Sequence, residues 1–259
     1  MNSHIDYLLR LGDSSLVLGQ RLSEWTGHGP VLEEDIAMTN IALDLVGQAR
    51  MLLTHAGKLE GAGRDEDALA YFRDTRGYRN FTLCELPNSG IEKGGGQGAC
   101  YAFTVMRNLL YCAWQAQLWA ALAESKDSEL SAIAAKSAKE TAYHLRHAGD
   151  WVVRFGDGTE QSHGRAQRAL DQLLPYTNEL FSGDPVEEAM AAQGIGVRGA
   201  DLREGFDLMT GAVLDEAGLK LPAASMFQST GKNGWHSEHL DFMLTEMQSL
   251  ARAHPGAQW

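Results

Sequence analysis

At 259 residues, 44% of them hydrophobic, the chain is long enough to bury a sizeable core. Its 22 Lys and Arg stand against 34 Asp and Glu, and the formal net charge of -12 argues against a nucleic-acid backbone as partner. No stretch approaches the roughly 20 apolar residues of a bilayer span, and "MNSHIDYLLRLGDSS" lacks the layout of a secretory signal, so a cytoplasmic protein is expected.

In chain order, Leu8, Leu9, Leu11, Leu16, Val17, Leu18 and Leu22 repeat with a helical period. "GPVLEEDIAMTN" then supplies a Pro and an acidic first turn, so a helix, a turn and a second helix are expected. The second helix runs through Ile36, Ile41, Leu45, Met51 and Leu52 until glycines break the period in "HAGKLEGAGRDED". A short helix follows at "DEDALAYFRDT". Residues 80–98, with a Pro and the run Gly94–Gly96, read as a loop crossing the bundle. The glycine run has neither GxGxxG nor a following Lys-Thr, so it does not read as a phosphate loop.

"YAFTVMRNLLYCAWQAQLWAALAES" is apolar on nearly every side, which suits either a buried helix or an interface. The long amphipathic run that follows opens with a cap at Asp127 or Ser128 and reaches Gly156. Helical segments are expected near Ala166 to Leu180, Pro185 to Gln193, Leu202 to Leu219 and Trp235 to His254. No strand pattern is evident. The expected fold is all-α: a four-helix bundle core over residues 4–156 with additional C-terminal helices over 157–259, in one domain. Cys84, Cys100 and Cys112 show no CxxC spacing and read as reduced packing residues.

In "KETAYHLRHAGDW", Glu140, His144, His147 and Asp150 recur at steps of three and four, like half of a metal site. Di-metal carboxylate bundles take a Glu from each of two helices and a Glu-x-x-His from each of two others. Three residues before His144 stands Thr141, which is no bridging carboxylate, and Glu140 is one position off. On the second helix, "LVGQ" places Leu45 and Gln48 where a pair is expected; Leu45 coordinates nothing, and Gln48 is a neutral amide. Asp44 points about 100° away from Leu45. In "GWHSEH", His236, Glu238 and His239 have spacing that can share a divalent ion. The alternative is a helix start capped by Ser237 or Asn233, with its charges solvated.

With "LRLGDSSLVLGQRLSEWTGHGPVLEEDIA", "LDLVGQAR", "ESKDSELSAIAAKSAKETAYHLRH" and "TGKNGWHSEHLDFMLTEMQSLAR" in the same order, the chain resembles the PaaC-type subunits of the ring 1,2-phenylacetyl-CoA epoxidases over nearly its whole length. These are bacterial multicomponent monooxygenases of phenylacetate degradation. The resemblance implies a ferritin-like subunit that has lost its di-iron site and structurally supports the homologous catalytic subunit, PaaA. Leu45, Gln48, Thr141 and His144 would then mark the degenerate site, with no catalytic, cofactor-binding or metal residue in this chain. Di-iron would belong to PaaA, and an NADPH-fed flavin and iron–sulfur reductase would act indirectly. Where the family can carry an Asp, this chain has Cys112.

Two other functions compete. A divergent di-iron oxygenase or oxidase would use Glu24, Asp44, Glu140 and His144; an acyl-CoA-binding helical module would hold its ligand without turnover. The resemblance favours the structural subunit and tips the Trp114/Trp119 helix toward an interface, with a homodimer possible when the chain is alone.

Overall fold

The computed structural model describes residues 2–91 and 99–257, so Gly94–Gly96 lie outside the described residues. The helices are α1 (Ser3–Ser23), α2 (Leu32–Glu60), α3 (Glu66–Tyr71), α4 (Thr82–Glu85), α5 (Tyr101–Leu122), α6 (Ser128–Gly156), α7 (Glu160–Leu173), α8 (Asn178–Phe181), α9 (Pro185–Gln193), α10 (Arg203–Glu216) and α11 (Glu238–Ala253). Among the described residues there is no strand, only an isolated bridge between Thr230 and Trp235. The fold is all-α, as expected. No helix among the described residues is long and apolar enough to cross a membrane.

The chain forms two compact units: one holds residues up to Leu86 and again from Ser229, the other Pro87–Gln228. In the first, α1 begins where the Asn2 side chain accepts from the His4 N–H at 3.0 Å. It packs antiparallel to α2, with Gly12 against Leu52 and Leu53 and Gly19 against Ala42 and Leu45. A Cβ on Gly19 would stand 3.3 Å from the Ala42 carbonyl oxygen, a tight contact that glycine avoids at this close crossing. α2 ends at Gly61, whose φ of 66° is the left-handed cap that glycine adopts without strain. α3 and α4 add single turns, and α11 returns from the far end of the chain to pack on α3.

In the second unit, α5 and α6 are antiparallel. The Tyr101 ring meets Trp151 at 5.3 Å at one end, and Ser131 Oγ donates to the Ala123 carbonyl at 2.6 Å at the other. α7 and α10 lie against this pair. α5 is therefore core: Trp114 and Trp119 are buried, and the expectation that they form an interface is corrected. α6, α7 and α10 all pack on α5. α6 starts as expected, with Asp127 accepting from the N–H groups of Glu129 and Leu130 at 3.0 and 3.1 Å. α7 starts earlier than its apolar period suggests, because Thr159 and Ser162 cap each other's backbone.

Candidate metal centre

Helical periodicity on α2 turns Met38, Ile41, Leu45, Gln48 and Leu52 to the buried side of the first unit. Leu45 presents methyl groups there, and Gln48 a buried neutral amide. Asp44, one residue from Leu45, is half-buried. Glu24, just past α1, is committed to Arg21 at 2.7 Å.

On α6 the buried positions are Leu130, Ile133, Ala134, Ser137, Thr141, His144, Ala148, Gly149 and Val152. Thr141 and His144 share that face. Glu140 does not: it turns toward Lys136, with Oε1 3.6 Å from Nζ, and Asp150 is exposed. His147 is half-buried beside the Tyr143 ring, at 6.3 Å between centroids. The three- and four-residue steps thus distribute these side chains between the inside and the outside of one helix. The antiparallel register sets Cys112 of α5 level with Thr141, and burial pushes that thiol up to about 12.

Taken one at a time, neither α2 nor α6 carries on its buried face the Glu-x-x-His of a di-iron half-site. Leu45 has no donor atom, Thr141 offers a neutral hydroxyl and Gln48 a neutral amide, leaving the His144 imidazole without a carboxylate at the position three residues before it. Charge balance for two ferric ions needs carboxylates on these inner faces.

The buried charges of the first unit are used in other ways. Asp13 accepts from Arg73 Nη1 at 3.0 Å and Nη2 in a forked pair, and from the Arg79 N–H at 2.8 Å. Burial alone would lower the Arg73 pKa, but Asp13 more than reverses this and holds it above its ordinary value. Tyr78 Oη donates to the Ala70 carbonyl and accepts from Gln248 Nε2 of α11 at 3.0 Å; burial, then Asp13, raises its pKa.

The second network corrects the picture of solvated charges in "GWHSEH". His236 is almost wholly enclosed, with Nδ1 2.8 Å from Glu85 Oε2 and Nε2 3.1 Å from the Tyr78 carbonyl. Both ring nitrogens face acceptors, an arrangement satisfied by the imidazolium. Burial lowers the His236 pKa, while the Glu85 hydrogen bond and charge outweigh it and leave the pKa raised. Glu85 also accepts from Asn80 Nδ2 at 2.8 Å and from the Ser237 N–H at 2.6 Å. Ser237 does occupy the N-cap position of α11, without a side-chain cap bond. Glu238 is exposed and His239 half-buried. The sequence holds no local signal for this pair, whose members lie 151 positions apart.

A cavity of about 420 Å³ in the first unit is lined by Asp74, Thr75, Asp241 and Arg252 among others. The second unit has one of about 570 Å³ beside Pro175, Phe206 and Leu221. Its Arg203 is already held by both oxygens of Asp207 at 2.8 Å, which weakens its claim on a ligand phosphate.

The family model described as phenylacetic acid catabolic protein matches residues 1–259. The chain is also 44% identical over 259 residues to the C-type subunit of the 1,2-phenylacetyl-CoA epoxidase of Escherichia coli (strain K12), a match covering 100% of each chain.

Proposed function

The chain belongs to the phenylacetic acid catabolic protein family, which is ferritin-like, and from that premise we propose that it is a non-catalytic structural subunit of a phenylacetyl-CoA ring-epoxidising monooxygenase. It binds and supports the di-iron homologue PaaA, in the cytoplasm, while an NADPH-fed reductase acts on the complex rather than on this chain. The likeness to one named subunit of an epoxidase supports a place in a heteromeric complex.

The observation that carries the non-catalytic reading is the apolar Leu45 on the inner face of α2, matched on α6 by Thr141. A buried carboxylate without a cation is strongly disfavoured, so a bundle that gives up its metal gains stability by giving up its carboxylates. The di-iron of the partner supplies oxygen activation. This chain's residues supply packing surface and a fixed backbone for the partner to dock on.

The test is reconstitution. PaaA, reductase and this chain are combined with phenylacetyl-CoA and NADPH, with the chain omitted or carrying His144→Gln. Epoxidation that requires the chain and survives His144→Gln supports the reading. Loss of turnover in a folded, PaaA-bound His144→Gln complex contradicts it.

A further inference from the structure

Four polar side chains of the second unit are buried without a hydrogen-bond partner among the described residues: Asn108 and Trp119 on α5, Ser137 and Thr141 on α6. Both amide atoms of Asn108 are in this state, as are Trp119 Nε1, Ser137 Oγ and Thr141 Oγ1. Ser and Thr hydroxyls within a helix can donate to the carbonyl one turn back, and here neither does. A polar group held dry is costly, so buried groups that the protein leaves open are ordinarily bonded to ordered water.

The four lie on facing stripes. At 100° per residue, Tyr101, Asn108, Cys112 and Trp119 fall within an arc of about 40° on α5, and Ser137, Thr141, His144 and Trp151 within about 80° on α6. The Tyr101 and Trp151 rings meet at 5.3 Å, so the stripes are turned toward each other. That contact and the Ser131–Ala123 bond at the other end fix the antiparallel register. It sets Thr141 level with Cys112 and Ser137 level with Ala116. The order along the seam is then Asn108, Thr141, Ser137, Trp119, with axial steps of about 6, 6 and 4.5 Å. A water bonded at about 2.8 Å on each side spans about 5.6 Å, which matches these steps.

The chemistry of the lining selects the same occupant. Neither arc contains a carboxylate, Lys or Arg, and Glu140, outside the α6 arc, turns to Lys136. Burial pushes the Cys112 thiol up to about 12, so it stays neutral. A metal ion or an anion would enter without a countercharge, whereas water needs only the neutral donors and acceptors present.

We infer that the α5–α6 seam binds a file of about three ordered waters, bridging Asn108 to Thr141, Thr141 to Ser137 and Ser137 to Trp119. A unit of this size commonly holds about five buried waters, so the file is within the ordinary range. It satisfies the inward polar groups and links the two long helices along the middle of their contact. The file stands whether or not the chain supports a catalytic subunit.

The experiment is a high-resolution crystal structure of the full chain, joined to thermal melts of Asn108→Leu, Thr141→Val and the double variant. Both replacements keep the side-chain shape and remove the polar atoms. Discrete water density is expected within hydrogen-bond reach of the Asn108 amide and the Thr141 hydroxyl. Each single variant is expected to melt about 2–4 °C lower, as for loss of one hydrogen bond in a chain of this size. The double variant loses less than the sum, because both singles break the same bridge. A dry seam gives the opposite result: each replacement removes an unsatisfied polar group and raises the melting temperature, additively. That outcome overturns the file, as does density showing the Asn108 amide bonded directly to protein, or an ion or organic molecule seated at Thr141. The wild-type crystal structure decides the matter even where a variant fails to fold.

Discussion

His236 and Glu85 form a buried ion pair, Nδ1 to Oε2 at 2.8 Å, between the segment leading into α11 and the last residue of α4. The Ser237 N–H and Asn80 amide complete the carboxylate's shell, while the Tyr78 carbonyl holds the other ring nitrogen. The C-terminal helix is thereby tied to a turn laid down early in the chain.

The pair gives stability a definite pH dependence. The folded-state pKa of His236 is raised above the unfolded value of about 6.5, so its contribution is complete below that pH and is lost as pH rises through the raised value. Thermal melts across neutral to alkaline pH are expected to show the wild-type midpoint falling relative to His236→Gln. A difference between the two that does not narrow with rising pH contradicts the imidazolium assignment.

Arg73 and Asp13 are a buried forked pair whose members depend on each other. Removing one partner, as in Arg73→Met, is expected to cost about 3–5 kcal/mol by leaving a buried carboxylate uncompensated. The double replacement Asp13→Leu/Arg73→Met costs much less than the sum of the singles in urea unfolding. Additive losses would show that the pair is not coupled.

Among the cysteines, Cys100 is half-buried while Cys84 and Cys112 are buried, and the Cys112 thiol is pushed up to about 12. In the native protein an alkylating reagent is expected to modify Cys100 first and to reach Cys112 only on unfolding. Mass spectrometry of digested, partly labelled protein reads the order. Early labelling of Cys112 would contradict the packing of α5.

Leu45→Glu restores a carboxylate to the inner face of α2. Burial of that group without a partner is expected to lower stability by about 3 kcal/mol, with no recovery when ferrous iron is added. A rise in melting temperature with iron would reveal a competent ligand set.

Long periodic runs made the helices legible, since α5, α6 and α9 lie where apolar spacing and caps put them. The half-site at Glu140, His144, His147 and Asp150 was legible only as spacing. The helix turns Glu140 to Lys136 and Asp150 to solvent. The role of α5 was not legible, because the same all-round apolar sequence suits a core or an interface, and the packing that decides it comes from α7 and α10. The early start of α7 was hidden by a capping box with Ser162 in place of the usual Glu or Gln. The His236–Glu85 pair had no local signature, because burial made a charge at an apparent helix cap into an internal cation.

The most direct test of the account is the iron content of the chain expressed alone in iron-supplemented cells, counted per polypeptide by elemental analysis. Iron well below one atom per chain is predicted from the donor set of α2 and α6. About two atoms per chain, the di-metal stoichiometry, would contradict the structural role and make His144 an active-site ligand.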